Sequence, residues 1–260
     1  YGNSVGNFNI LEPHKEMIIE SRMLVQVHHS LKIPEIDTTK VQDLAKEKEK
    51  NSYLLRLCSP DKIINQKKID SYLKKINASD NPITEIARKC SEYIFKNFTY
   101  TKGITTIETT VDEILEHKKG VCQDFSHVLL QFLRTAGIPA RYVSGYICPN
   151  TTGFRGEGAT HAWVEFFTPN QGWLGIDPTN NIWTMDNHVK LSVGRDFNEC
   201  TPVKGTFKGL VRQTLSVSVS IGYEDGTQYE EVNDVQLQEA SVEEKVQLDY
   251  MDQLHQQQQQ

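Results

Sequence analysis

Several features are absent from the sequence, and each absence excludes a class of function. Its 260 residues contain no apolar run near the ~18 residues that a membrane-spanning helix needs. Lys and Arg number 28 against 34 Asp and Glu, so the net charge of −6 leaves no basic excess for binding phosphates. We therefore expect neither a membrane nor a nucleic acid as a partner.

Cysteine is scarce and follows no pattern. The five cysteines are an odd number without a Cys-x-x-Cys pair, which argues against a disulfide framework and for free thiols in a reducing, cytoplasmic compartment. A metal site could be assembled on paper from Cys122, Cys148, Cys200, His117, His127 and His161. Their spacings match no common zinc pattern. Because the glycines at 153, 156 and 158 precede a strand, they do not form a phosphate-binding loop, and we predict no metal and no cofactor.

The two ends of the chain differ from its middle. Residues 7–27 alternate apolar residues around Pro13 and predict two or three strands joined by turns. No secretion signal can be read at Tyr1, and we expect the native N-terminus to lie upstream. From Glu230 onward the chain is acidic and Gln-rich, which predicts a tail that does not order on its own. A docked helix over 242–254 is the alternative.

The middle of the chain predicts helices followed by an antiparallel sheet. Apolar residues recur at helical spacing after Pro82 and again over 125–136. Thr110 and Glu113 have capping-box spacing, and Gly120 is placed as the left-handed residue that ends the helix they begin. Alternating or punctuated apolar segments predict strands over 141–148, 160–167, 173–177 and 215–221. The predicted fold class is α+β.

Cys122 lies in the first turn of the best-defined predicted helix, on its inward face. The helix dipole and the unpaired N–H groups of that turn favour a thiolate, which is the nucleophilic form of cysteine. A buried cysteine is more often a small hydrophobic residue, so this position alone does not establish catalysis. Asp124, in the same turn, is expected to be a helix-terminus charge or a buried structural acceptor and not an acid catalyst.

His161 and Asp177 are the partners that a nucleophilic cysteine needs. Strand parity places His161, Trp163 and Glu165 on one face of their strand and apolar residues on the other. If the following turn has an odd number of residues, paired positions share parity and Asp177 projects from the face of His161. A carboxylate there would fix the imidazole tautomer and stabilise the imidazolium. An even-length loop would separate the two side chains.

Four blocks of sequence, in this order, closely resemble the bacterial branch of the transglutaminase-like superfamily: GVCQDFSH at 120–127, GIPARYVSGY at 137–146, THAWVE at 160–165 and GWLGIDPTN at 172–180. The resemblance covers about 98–209, and residues 2–27 resemble the end of the small β domain that precedes this core in the bacterial branch. It implies a papain-like transglutaminase core, with helices packed on an antiparallel sheet. It also implies Cys122 as nucleophile, His161 as base and Asp177 as the orienting partner.

Two aromatic residues are candidates for substrate binding. Tyr100 matches an aromatic block of the family upstream of the nucleophile, with simple packing as the alternative. Trp163 shares the strand face of His161 and could form a wall of the site.

The resemblance implies an enzyme with four regions. We assign part of a small β domain to 1–35, a charged linker or helical connection to 36–80, the catalytic core to 81–225 and the acidic tail to 226–260. The expected function is a cysteine-nucleophile acyl transfer that hydrolyses amide bonds of a peptide or protein through a thioester. A transglutaminase, in which an amine replaces water, and a non-catalytic binding module with the same fold are the alternatives. The oligomeric state cannot be read from the sequence.

Overall fold

The computed structural model describes residues 1–26, 37–106, 109–148, 154–155, 160–205, 214–222 and 228–236. The chain forms two units, Tyr1–Val203 and Lys204–Gln260. Two features of the sequence lie outside the described residues: the glycines at 153, 156 and 158, and the alternative helix over 242–254.

Six α-helices occur in the described part of the larger unit: α1 Ala45–Lys50, α2 Ser52–Leu57, α3 Gln66–Lys75, α4 Ile83–Asn97, α5 Val111–His117 and α6 Cys122–Thr135. Short 3₁₀ helices span Val41–Leu44 and Phe197–Glu199. The charged region predicted as a linker or helical connection is therefore largely helical from Val41 to Lys75. None of the described helices combines the length and the apolar character that crossing a membrane would require.

The sheet that follows the helices has five strands. They are β3 Ala140–Ile147, β4 Thr160–Thr168, β5 Gly172–Asp177, β6 Ile182–Trp183 and β7 His188–Gly194, in the spatial order β6-β5-β4-β3-β7. Every neighbouring pair in this sheet is antiparallel. A short parallel pair, β1 Thr99–Tyr100 with β2 Lys119–Gly120, lies beside the start of α6. Helices packed on an antiparallel sheet confirm the predicted α+β class.

The main core lies between α6, α4 and the sheet. The apolar stripe of α6 is fully buried, because residues three and four apart share one helix face. It meets the buried strand residues Ala162, Val164 and Phe166, the face of β4 that was predicted to be core. Burial of such side chains stabilises a fold by roughly 1.5–3 kcal/mol each. This packing fixes α6, and with it Cys122, against the strands.

The strands predicted within residues 7–26 are absent from the described segment 1–26, so that prediction is wrong there. A strand needs a neighbouring strand to accept and donate its backbone hydrogen bonds. Leu11 and Leu24 are 87% and 98% exposed, so these parts of the segment do not pack against a neighbour in the described structure. The Asn3 side chain of this described segment hydrogen-bonds to the edge strand β7. The Asn3 amide donates to Val193 O and accepts from Val193 N, at 2.7 and 3.0 Å.

The smaller unit contains an antiparallel hairpin of β8 Thr214–Gly222 and β9 Gln228–Gln236. The predicted strand over 215–221 is confirmed. The valines and the isoleucine of this strand are half-buried, and its serines are exposed. The two faces therefore alternate in exposure as predicted, but the apolar face is less buried than expected. Strand β9 lies within the segment assigned to a tail without order. Composition alone missed it, because the paired strand β8 supplies hydrogen bonds that an isolated acidic segment does not have.

Candidate active site

The first turn of α6 holds Cys122 in place. Val121 precedes the helix in an extended conformation, and Cys122 is the first helical residue, half-buried. The Asp124 carboxylate accepts hydrogen bonds from Val121 N–H and from the Thr105 hydroxyl, at 2.8 and 2.7 Å. Burial raises the pKa of Asp124, while these two hydrogen bonds oppose the rise. Asp124 is thus the buried structural acceptor that the sequence predicted.

Gly120 serves this turn in a way that the sequence did not predict. The left-handed residue that ends α5 is Lys118, with φ of 53°. Gly120 lies in β2, and a Cβ atom on it would come within 2.5–2.9 Å of the Asp124 side chain. The prediction of a helix-ending role for Gly120 is therefore wrong. Its missing side chain makes room for the carboxylate that caps α6.

Neighbouring strands β4 and β5 bring His161 and Asp177 together. The register pairs Val164 with Ile176 and Thr168 with Gly172, so residues of the same parity oppose each other across a loop of odd length. His161 Nε2 lies 2.9 Å from Asp177 Oδ2, and both side chains are 0% exposed. The same-face geometry predicted from strand parity is present.

Several donors converge on the Asp177 carboxylate. Oδ1 accepts from Thr179 N–H at 2.8 Å, and Oδ2 accepts from the Asn180 amide at 2.8 Å as well as facing His161. Burial acts to raise the pKa of Asp177, but the charge and hydrogen bonds of His161 and His188 outweigh it and hold the pKa far below its usual range. Asp177 is therefore ionised in the folded protein.

The His161 imidazole is poised to carry a proton. Burial acts to lower the pKa of His161, but the Asp177 charge, the nearby Cys122 side chain and the hydrogen bond to Asp177 outweigh it, so the pKa is raised. Since Nε2 faces Asp177, Nδ1 is the atom left to serve Cys122, and it makes no hydrogen bond of ordinary geometry among the described residues. The site therefore brings together the residue types that a nucleophile, a base and an orienting carboxylate require.

His188 is part of this cluster, although no sequence pattern singled it out. Its Nε2 lies 3.5 Å from Asp177 Oδ2, and its side chain is 1% exposed. It begins β7, which the strands β4 and β3 separate from β5, the strand that carries Asp177. Parity between two adjacent strands cannot predict a contact of this kind.

The two candidate substrate-binding residues occupy different environments. Trp163 is 2% exposed, and its ring lies 6.4 Å from that of His161 and 5.2 Å from that of His188, measured between centroids. Tyr100 is half-buried in β1 and packs edge-on against Phe125. These are packing contacts, and substrate contact by either residue stays a prediction.

Glu165, which shares the strand face of His161, has other partners. Its carboxylate lies 2.6 Å from the Arg141 guanidinium and 2.8 Å from Lys190 Nζ. The Arg141 guanidinium also lies over the Trp173 ring, 4.0 Å from its centroid. Glu165 is held in this pair of salt bridges and does not reach the imidazole of His161 through any contact among the described residues.

A metal ion is the alternative use of the buried cluster. One ligand atom each from His161, Asp177 and His188 lie within 4.8 Å of one another. Ligands about 2.0–2.1 Å from a tetrahedral zinc ion stand roughly 3.3 Å apart. The 2.9 Å separation of His161 Nε2 and Asp177 Oδ2 is shorter and matches a direct hydrogen bond. The arrangement therefore fits a hydrogen bond between histidine and carboxylate better than metal coordination.

Comparison with known proteins identifies a superfamily that the chain matches. Residues 70–178 match the model of the transglutaminase-like superfamily, a range that contains all three residues of the Cys122, His161 and Asp177 set. An uncharacterized protein of Mycobacterium tuberculosis is 32% identical over 241 residues, which cover 85% of this chain and 74% of the relative. A protein-glutamine gamma-glutamyltransferase of Pseudomonas aeruginosa is 35% identical over 112 residues, or 40% of this chain and 17% of that protein.

Among solved structures, a putative cysteine protease from Cytophaga hutchinsonii superimposes with a TM-score of 0.52 over 80% of this chain, at 21% sequence identity. The chain spans 62% of the length of that protein. At this identity the similarity shows a shared fold. Together with the family model and the mycobacterial relative, it establishes that the chain belongs to the transglutaminase-like superfamily.

Proposed function

We propose that the protein is a cysteine peptidase or amidase that cleaves amide bonds through a thioester on Cys122. The observation that carries the proposal is the buried 2.9 Å hydrogen bond between His161 Nε2 and Asp177 Oδ2, which leaves Nδ1 for the thiol. A carboxylate that orients an imidazole beside a nucleophile is the arrangement that activates cysteine and serine nucleophiles in unrelated folds.

In the acylation step, the Cys122 thiolate attacks the carbonyl carbon of the amide. The first N–H groups of an α-helix have no acceptor within the helix, so the Cys122 N–H can donate to the oxyanion that develops. The His161 imidazolium donates its Nδ1 proton to the leaving nitrogen as the C–N bond breaks. An amine leaves, and a thioester to Cys122 remains.

In the deacylation step, neutral His161 removes a proton from water, which attacks the thioester. The C–S bond breaks, the carboxylic acid departs, and the thiolate–imidazolium pair is restored. Asp177 stabilises the positive charge on His161 in both steps without itself accepting a proton. Burial acts to raise its pKa, but the two imidazoles outweigh burial and hold the pKa far below its usual range.

Transglutamination is the second candidate. The Pseudomonas relative is a protein-glutamine gamma-glutamyltransferase by name, and 35% identity over 112 residues gives a specific reason to test this reaction. The first half-reaction would be the same on Cys122. A lysine amine would then replace water and yield a new amide.

Mass spectrometry of a peptide substrate rich in glutamine, with and without an added primary amine, separates these reactions. A peptidase or amidase gives shortened or deamidated peptides in both samples. A transglutaminase gives a peptide whose mass has increased by that of the amine less ammonia. If neither product nor a Cys122 acyl adduct forms over a panel of peptides, the chain acts as a binding module and the proposal fails.

A further inference from the structure

The turn before β7 fixes the orientation of His188. His188 N–H donates to Met185 O at 2.9 Å, which closes a tight turn over 185–188. In return, Met185 N–H donates to His188 Nδ1 at 3.2 Å. Asn187 Oδ1 also lies 2.9 Å from Nδ1. Because the backbone N–H of Met185 can only donate, we assign Nδ1 as an acceptor that the NH₂ group of the Asn187 amide faces, and the ring proton of neutral His188 then resides on Nε2.

That proton points into the buried cluster. Nε2 of His188 is inaccessible to solvent and makes no hydrogen bond of ordinary geometry among the described residues. It lies 3.5 Å from Asp177 Oδ2, the oxygen that also faces His161 Nε2. At this distance the attraction is mainly electrostatic, and it acts in a site where both side chains are almost fully buried. The edge of Trp163 packs against the imidazole and limits its movement.

We propose that His188 is a positioning residue of the reaction, which orients and stabilises the Asp177 carboxylate as that carboxylate orients His161. This inference rests on the proposed function. The role follows from the shared oxygen: with Nε2 of His188 attracting it electrostatically from one side and the Asn180 amide donating to it from another, Oδ2 is held facing Nε2 of His161. Without His188 the carboxylate can rotate away, and the imidazole loses its fixed tautomer.

The test compares His188→Leu with His188→Gln, using the rate at which iodoacetamide labels Cys122 at pH 6. Glutamine can place an amide N–H near the position of Nε2, whereas leucine fills the space without a donor. We expect His188→Leu to slow labelling about tenfold, equivalent to roughly 1.4 kcal/mol. His188→Gln should restore most of the rate. His127→Leu, which removes another imidazole, half-buried and outside the cluster, is the control for general destabilisation.

A double-mutant cycle with Asp177→Asn separates positioning from general packing. If His188 acts through the Asp177 charge, adding His188→Leu to Asp177→Asn should change the labelling rate less than twofold. A further tenfold loss in the Asp177→Asn background, or His188→Leu labelling at the parent rate, would overturn the inference. If His188→Leu does not fold, the same cycle is measured with His188→Gln. A loss of labelling rate in His188→Gln as large as that in Asp177→Asn would also contradict the role.

The experiment also separates this inference from the proposed function. A parent protein whose Cys122 labels no faster than Cys58 or Cys200 would contradict the cysteine mechanism itself. A parent with selective labelling that His188→Leu leaves unchanged would contradict only the role of His188.

Discussion

At the scale of single residues, the charge of Asp177 matters both for the proposed reaction and for the stability of the fold. Its carboxylate is fully buried, yet the His161 imidazole, a side-chain amide and a backbone N–H hydrogen-bond to it, and the His188 imidazole faces it at 3.5 Å. Loss of a charge-assisted acceptor in such a site leaves several buried donors unsatisfied, and each unsatisfied donor costs about 1–3 kcal/mol. Function and stability therefore coincide at this residue.

Asp177→Asn is expected to lower the rate of thioester formation by about 10⁴-fold, the loss seen when the orienting carboxylate of a well-studied triad is replaced by its amide. Thr179 N–H should keep the oxygen of the new amide at the Oδ1 position, so its NH₂ group would face the donors around Oδ2. We therefore expect the thermal midpoint to fall by several degrees as well. Pre-steady-state mass spectrometry and thermal denaturation measure the two effects.

Glu165→Gln is the matched control, because Glu165 lies on the same strand face but pairs with Arg141 and Lys190. It should lower stability, since a buried charge loses its partner. Thioester formation should stay within about twofold of the parent. A large loss of rate with Glu165→Gln and none with Asp177→Asn would mean that Glu165 is the orienting carboxylate.

At the scale of elements, the position of Cys122 depends on the packing of β2 against the first turn of α6. Gly120→Ala would place a methyl group within 2.5–2.9 Å of the Asp124 side chain. Overpacking of this kind typically costs about 1–3 kcal/mol. We expect a lower thermal midpoint and slower labelling of Cys122. Gly6→Ala, where a Cβ meets nothing within 4 Å, is the control and should leave both unchanged.

Helix α6 and the strands beside it show which features can be predicted from the sequence. The helical stripe after Cys122 and the parity of His161 and Asp177 follow from local spacing, and the structure agrees because both depend on neighbours along the chain or on one hairpin. Gly120 was misjudged because its neighbour, Asp124, is visible only once the turn has formed. His188 was missed because it reaches Asp177 across the end of a whole sheet.

Strand content outside the core was the least predictable feature. The strand pattern within residues 7–26 is local and forms no strand in the described segment, since pairing depends on a neighbour. Strand β9 was missed by composition, although the Asp225-Gly226 pair before it is typical of a hairpin turn. Pairing of strands, and not alternation alone, decides which segments become ordered.

At the scale of the whole molecule, buried histidines make stability depend on pH. Burial lowers the pKa of His127 to about 4, and its Nε2 accepts from Phe197 N–H. Between about pH 6.5 and 4 the unfolded chain binds the extra proton, so the free energy of unfolding falls as the pH falls. His161 acts in the opposite sense. Its pKa is raised, so its contribution is complete below about pH 6.5 and is lost as the pH rises through the folded-state pKa.

His127→Gln is expected to reduce the fall in thermal midpoint between pH 6.5 and pH 5, because glutamine can accept from Phe197 N–H and does not titrate. His117→Gln, at an exposed position, should leave the slope of the parent unchanged. Thermal denaturation in buffers across this range measures both. A slope in His127→Gln equal to that of the parent would show that other groups carry the acid sensitivity.

The most direct measurement of the cysteine mechanism is the rate at which iodoacetamide labels each cysteine at pH 6. Burial raises the pKa of Cys58 and raises that of Cys200 to about 11, so these thiols should react slowly. Cys122, half-buried beside His161, should label at least tenfold faster, and His161→Ala should abolish the difference. Equal labelling of the three thiols, or a fast Cys122 that His161→Ala leaves unchanged, would contradict activation of Cys122 by His161.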